Sequence, residues 1–318
     1  MKPTRKSLIA AAIVLTASLA IVFLVNKGKQ KHEADIFAMD TYMQITTYGR
    51  HGEKAVQRSV EEIKRLESEL AASAINTDSG VSLTADGEYL LKRSTELKDM
   101  TDGTFDITIY PIVKAWGFPD KNYRVPSKEE IQNLLENKDI VLQYDFGGIA
   151  KGYTSDSVAK LMRECGVKSA ILNLGGNVMT IGKKTDGSDW KVAIKSPDVS
   201  VENLGVLSVY DKAVITSGGY ERCFEADGKS YHHIIDPKTG YPAESGLVSV
   251  TIVSSDATLA DALSTALFVM GKDNAIAFWR KYADNFDFVL YDNKGELYVS
   301  EGIADSYLAA MEYEVVKR

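Results

Sequence analysis

The feature that most constrains this chain is an uncharged apolar run, Leu8 to Val25, interrupted only by Thr16 and Ser18 and preceded by Lys2, Arg5 and Lys6. Eighteen helical residues rising about 1.5 Å each cover roughly 27 Å, close to the thickness of a bilayer's hydrocarbon core and long for the apolar part of a cleaved signal. The run is therefore expected to be an uncleaved amino-terminal membrane anchor, with no cysteine behind it for lipid attachment. The short basic head is expected to stay inside and the body to lie outside the cytoplasm, at the plasma or inner membrane. Residues 1–31 are accordingly set apart as anchor and basic linker, and residues 32–318 as one folded domain.

Taking away the six basic residues of that leader moves the formal net charge from −7 to −13 for the remainder. An acidic body without a clustered Lys/Arg face repels phosphate backbones, which excludes nucleic acid as a partner. Cys165 and Cys223 are far apart and form no CxxC, so neither a redox motif nor a structural zinc site is expected.

The patterning of the body alternates strands and helices without a strict βαβ repeat. A strand is expected across Ile36 to Tyr48, then helices over Glu53 to Leu70, Glu88 to Met100, Lys128 to Glu136 and Asp156 to Cys165. Further strands are expected at Ile140 to Tyr144, Ala170 to Leu174, Val178 to Ile181, Trp190 to Ile194, Gly205 to Val209, Ala213 to Thr216, Tyr231 to Ile235, Leu247 to Val253 and Phe286 to Tyr291. This mixture predicts an α+β fold with a mixed, mostly antiparallel sheet.

Three glycine-bearing loops, DFGGIAKGY (145–153), NLGGN (173–177) and SGGY (217–220), let backbone amides approach a ligand, although none matches a P-loop or a dinucleotide fingerprint. In the run after Asp256, Leu259, Leu263, Ala266 and Met270 share one helical face and leave Asp261, Ser264 and Thr265 on the other. A carboxylate and a hydroxyl one turn apart are a partial oxygen shell for Mg²⁺; an ordinary solvated face is the alternative. His232 and His233 end a strand before the turn-forming DPKTG, and as strand neighbours they must point opposite ways, so the two cannot chelate one metal.

Together GTFD (103–106) with WGF (116–118), DFGGIAKGY, LNLGGN, ITSGGYERCFE, YHHIIDPKTGYPA and DATLADALSTALFVMG resemble, in order, the ApbE family of FAD:protein FMN transferases. The resemblance runs from about Met39 to about Gly271. It implies a single ApbE-type, T-fold-like domain that takes FAD as substrate with Mg²⁺, the metal lying on Asp261, Thr265 and the Gly148 carbonyl. Flavin contacts implied in the same way are Met39, Thr104, Phe105, Asp106, Asp145, Lys151 and Ile235, with Asn173 and Gly176 lining the pocket. The segment AASAI (71–75) stands where the family carries a longer loop over the adenine side, and looks shortened.

What the resemblance implies chemically is attack by a threonine hydroxyl of a target protein on the FMN-side phosphorus of FAD, with AMP leaving. His233 is the first candidate for the base, and Asp261 the second. The implied acceptors are FMN-binding domains of exported or membrane electron-transfer proteins. Hydrolysis of FAD to FMN and AMP, and plain flavin carriage, are the competing expectations.

Overall fold

The computed structural model describes residues 29–77, 79–138, 142–198 and 200–318; the expected anchor at 8–25 lies outside the described residues. Among the described residues no helix is long and apolar enough to cross a membrane.

The domain opens with strands β1 (Lys31–Ala38) and β2 (Thr41–Tyr48), then α1 (Gly52–Leu70), the single turn α2 (Ala72–Ile75), the small hairpin β3 (Asn76–Thr77) and β4 (Gly80–Val81), and α3 (Ala85–Met100). Helices α4 (Tyr110–Ala115), α5 (Lys128–Asn137) and α6 (Ala150–Glu164) follow. Next come β5 (Ala170–Leu174), β6 (Asn177–Ile181), β7 (Trp190–Lys195), β8 (Asn203–Val209), β9 (Ala213–Gly218), β10 (Cys223–Ala226), β11 (Lys229–His232) and β12 (Leu247–Ser254). The chain finishes with α7 (Ala257–Met270), α8 (Lys272–Tyr282), β13 (Asp287–Asp292), β14 (Leu297–Ser300), α9 (Glu301–Ala304), β15 (Tyr307–Ala309) and β16 (Glu314–Val316).

Nine strands form one sheet in the order β1-β2-β5-β6-β9-β12-β13-β14-β16, antiparallel at every pairing except β14 with β16. Period-two alternation divides its central strands between two cores. Ile215, Ile252, Phe288 and Leu290 face the helical layer and share one hydrophobic cluster with Ile63 and Leu66 of α1, Val158 and Met162 of α6, Leu263 of α7 and Trp279 of α8. Val214, Val253, Val289 and Tyr291 face the other way, onto Val192 and Leu207 of a three-stranded sheet, β15-β8-β7. Because β12 is covered on both faces, its residues are buried almost without a break, the polar Ser249, Thr251 and Ser254 included, while β7, which covers only one side, alternates buried and exposed residues strictly.

The mixed, mostly antiparallel α+β architecture agrees with the sequence reading, and four local expectations are corrected. The single strand expected over Ile36 to Tyr48 is a hairpin, with the register Ala38↔Thr41 leaving Met39 and Asp40 as a two-residue turn, both at positive φ (48° and 58°). Positive φ at both positions matches the right-handed twist of the strands, even without the usual Asn-Gly signal. The helix expected from Asp156 begins at Ala150, so Lys151 and Gly152 sit in its first turn and not in a loop. Residues 142–144 form no strand, and the start of that expected strand lies outside the described residues. The strand expected over Tyr231 to Ile235 ends at His232, and Ile235 makes only an isolated bridge to Pro242.

Helices α6 and α7 cross in close contact because Gly152 has no side chain: a Cβ there would lie 2.2 Å from the Ala257 carbonyl oxygen and 2.6 Å from Asp261 Cβ. The amino terminus of α7 is capped from two directions. Asp256 accepts from Leu259 N (2.8 Å), and Asp156 of α6 accepts from Ala257 N (3.1 Å), Thr258 N (2.8 Å) and Thr258 Oγ1 (2.6 Å). These contacts fix where α7 presents its polar residues.

Candidate active site

A cavity of about 890 Å³ opens where the β1–β2 turn (Met39 to Thr41), the β5–β6 turn (Gly175, Asn177) and the end of β9 (Thr216, Ser217) gather. The start of α6 and the polar side of α7 form a second wall, and the segments around Phe105, Tyr110, Arg222 and His233 close it.

Asp261 and Thr265 of α7 both line this cavity. The Asp261 residue is 4% exposed, so its face of the helix is not the solvated surface that periodicity alone allows. Its Oδ2 accepts the Gly152 amide at 2.8 Å. Gly148 enters from the loop before α6; a Cβ built on it would stand 3.6 Å from Thr265 Oγ1 and 3.3 Å from the Phe105 ring. A carboxylate, a hydroxyl and a bare glycine backbone are hard oxygen donors without competing nitrogen or sulfur, a set that fits Mg²⁺ or a similar cation. Among the described residues no group of three or more His, Cys, Asp or Glu could hold a metal ion.

Positive charge comes from Lys151, in the first turn of α6, and from Arg222, beside β10. Asp145 accepts from Gly147 N at 2.7 Å; burial pushes its carboxyl up against the pull of that amide, Arg222 and Lys151. His233 is half-buried. Its Nδ1 lies 3.2 Å from the Arg222 carbonyl, a contact that needs the Nδ1–H tautomer and leaves Nε2 with a free lone pair. Burial, and next the Arg222 charge, push the imidazole down to about 4, so it is neutral at physiological pH. The neighbouring His232 points the other way, toward the Phe268 ring and the Ala243 carbonyl, as strand alternation requires.

The remaining expected residues divide. Met39, Thr104, Phe105 and Ile235 line the cavity, with Met39 N donating to Glu67 Oε1 at 2.6 Å. Asp106 also borders it, but its side chain turns into the protein: Lys138 Nζ (2.7 Å), Lys98 Nζ (2.9 Å) and Thr108 Oγ1 (2.7 Å) all bind its carboxylate, and Thr108 N caps onto it. Burial alone would raise that carboxyl; these donors outweigh it and hold it below the usual range. Asn173 and Gly176 are corrected. In β5 the inward residues are Leu172 and Leu174, so Asn173 lies on the opposite, exposed face, where its Oδ1 accepts from Gly176 N (2.9 Å) and braces the turn. Gly175 and Asn177 reach the cavity instead. Tyr110, Ser217, Glu221 and Arg222 line it too and were not singled out from sequence; three of them lie in the ITSGGYERCFE stretch, whose glycines drew the attention.

A family model described as the ApbE family matches residues 39–290, which takes in every cavity element just described. The chain belongs to the ApbE family. Among its relatives is the FAD:protein FMN transferase of Klebsiella pneumoniae (strain 342), 32% identical over 262 residues, covering 74% of this chain and 81% of the relative. The FAD:protein FMN transferase of Treponema pallidum (strain Nichols) is 29% identical over 310 residues, covering 83% and 85%. In structure, the ApbE protein of Thermotoga maritima superposes with a TM-score of 0.78 at 32% identity, over 86% of this chain and 98% of that one. The flavin transferase ApbE of Vibrio cholerae gives 0.73 at 26% identity, over 86% and 97%. With 86% of this chain covered by each of these ApbE structures, the fold is that of one ApbE-type unit.

Proposed function

We propose that this protein transfers FMN from FAD to a side-chain hydroxyl of another protein. The observation that carries the reading is the meeting, in one cavity, of two cations (Lys151, Arg222), an oxygen donor set (Asp261, Thr265, Gly148) and a neutral histidine, beside apolar walls of Phe105, Ile107, Ile109, Val113 and Phe118. The apolar walls suit a flat isoalloxazine ring, while the cations and the positive end of α6 suit a diphosphate. The relatives named FAD:protein FMN transferase supply the reaction class.

In this reading the acceptor, a threonine in an FMN-binding domain of an exported or membrane electron-transfer protein, brings its hydroxyl to the FMN-side phosphorus. An oxygen–phosphorus bond forms, the phosphoanhydride bond to AMP breaks, and AMP leaves with the electron pair. Lys151 and Arg222 offset the charge on the phosphoryl oxygens. His233 Nε2 takes the hydroxyl proton, a role open to it because the ring is neutral and Nδ1 is committed to the Arg222 carbonyl. Mg²⁺ bound by Asp261, Thr265 and the Gly148 carbonyl would supply Lewis-acid stabilisation of the diphosphate. That assignment leaves Asp261 unsuited to be the base. The leader at 8–25 would hold the domain at the outer face of the membrane.

A specific observation also favours FAD hydrolysis when no acceptor is present. Where the resemblance implies a longer covering loop, the cavity is lined by the small residues Ala71, Ala72 and Ser73, which leave that side open to water.

The full chain in detergent, incubated with FAD, Mg²⁺ and an FMN-binding domain bearing an acceptor threonine, should raise the acceptor's intact mass by one FMN phosphoryl increment, and Asp261→Ala should abolish the gain. AMP release without acceptor labelling would place the activity in hydrolysis; bound, unchanged FAD would sink both enzymatic readings.

A further inference from the structure

The hydroxyls on the cavity floor fix the direction of one another's hydrogens. Ser264, fully buried on α7, donates to the Asp261 carbonyl at 2.7 Å. A serine hydroxyl carries one hydrogen, so the 2.7 Å contact between Ser217 Oγ and Ser264 Oγ is made with the hydrogen of Ser217. Ser217 then has none left, and its 3.4 Å contact with Thr265 Oγ1 uses the hydrogen of Thr265. The result is a directed chain, Ser217 to Ser264 to the Asp261 carbonyl. Ser217, which lines the cavity with Thr265, turns its hydrogen into the protein and keeps its lone pairs for whatever lies in the cavity.

A hydroxyl that binds a cation must present oxygen and hold its hydrogen away, and the bond to Ser264 enforces that for Ser217; Thr265 turns its hydrogen off the Ser217 edge when both oxygens face one ion. The spacing agrees. Neighbouring oxygens around a cation with bonds of about 2.1 Å (Mg²⁺) stand roughly 3.0 Å apart, and with bonds of about 2.4 Å (Ca²⁺) roughly 3.4 Å. The 3.4 Å between Ser217 and Thr265 thus needs a few tenths of an ångström of closure for the smaller ion and none for the larger. Ser217 comes from the end of β9, paired with Val250 of β12, and Thr265 from α7 packed against that strand, so the pair is set by the core and not by a loop.

We infer that Ser217 Oγ is a protein ligand of the divalent cation, beside Asp261, Thr265 and the Gly148 carbonyl. The inference rests on the cation reading given above. Four protein oxygens leave two positions of an octahedral Mg²⁺ for oxygens of the diphosphate, so Ser217 limits how much water the ion retains.

The test is direct cation binding, independent of turnover. Full-length wild type, Ser217→Ala and Ser217→Cys in detergent are titrated with Mn²⁺, following loss of the free-ion EPR signal, and competed with Mg²⁺ or Cd²⁺; melting without cation checks the fold. Wild type should bind one Mn²⁺, Ser217→Ala about tenfold or more weakly, and Ser217→Cys should shift preference from Mg²⁺ toward Cd²⁺ by at least that factor because a thiolate is a soft ligand. Equal Mn²⁺ affinity in wild type and Ser217→Ala would overturn the inference while leaving the cation site standing. If the alanine variant melts early, an unchanged Mg²⁺-to-Cd²⁺ preference in Ser217→Cys overturns it instead. No Mn²⁺ uptake by wild type would remove the cation reading and this one together.

Discussion

Replacing Gly152 with alanine is the substitution for which helix propensity and packing give opposite signs. On propensity alone, alanine in a helix is better than glycine by about 1 kcal/mol. Here the added methyl would be driven to 2.2 Å from the Ala257 carbonyl oxygen, 2.9 Å from the carbonyl carbon and 2.6 Å from Asp261 Cβ, all belonging to a helix held by its own caps. Overpacking of that kind costs about 1–3 kcal/mol. Pushing α7 away also stretches the buried hydrogen bond from Gly152 N to Asp261 Oδ2, of a type worth about 1.5–3 kcal/mol. The net is a destabilisation of about 2–4 kcal/mol, which at roughly 2–4 °C per kcal/mol lowers the melting temperature by about 4–16 °C. Because the strain falls on Asp261, Mn²⁺ affinity should drop as well. Circular-dichroism melts of the full chain and the EPR titration read the two effects. A variant that melts at or above wild type would refute the argument, since it would mean that the α6–α7 contact yields at no cost.

Two further outcomes follow from the same elements. Asp156→Ala strips the buried start of α7 of three hydrogen bonds and should cost about 2–3 kcal/mol in urea unfolding; a loss below about 0.5 kcal/mol would show that water replaces the carboxylate there. In the flavin-free protein the His233 ring should titrate near 4 by NMR; unfolded His binds protons from about pH 6.5, so its contribution to stability is complete above that pH and is lost as pH falls toward 4. Added FAD should raise the midpoint by bringing diphosphate charge to the ring, and a flavin-free midpoint above 6 would contradict the assigned environment.

How much of this was legible in the sequence follows from which signals are local. The stripe on 257–270 and the strand at 170–174 depend on period, and the structure has them where the periodicity puts them. The cavity residues Asp145, Gly148, Lys151, His233, Asp261 and Thr265 were reachable because each stands in a motif. Failures arose where a residue type stood for a different cause. The glycines of DFGGIAKGY read as loop, yet Gly152 is inside a helix for the sake of a crossing partner that no local window contains. Met39-Asp40 carries no turn composition, so two strands read as one. Asn173 stood next to cavity glycines in sequence, but strand alternation sends it to the opposite face. Ser217 was hidden because its meaning lies in which way its hydrogen points, set by Ser264 across the core.

The cavity is bordered at one end by Met39, at the β1–β2 turn, and at the other by Thr265, late in the chain. No fragment ending before α7 possesses it. Synthesis must therefore pass Thr265 before the cavity can exist. In the proposed function a bound flavin would bridge early and late segments of the domain, and saturation at a hundred times the dissociation constant would add about 2.7 kcal/mol against unfolding of the whole domain. Flavin supply would then set not only how fast this protein works but how long each copy survives.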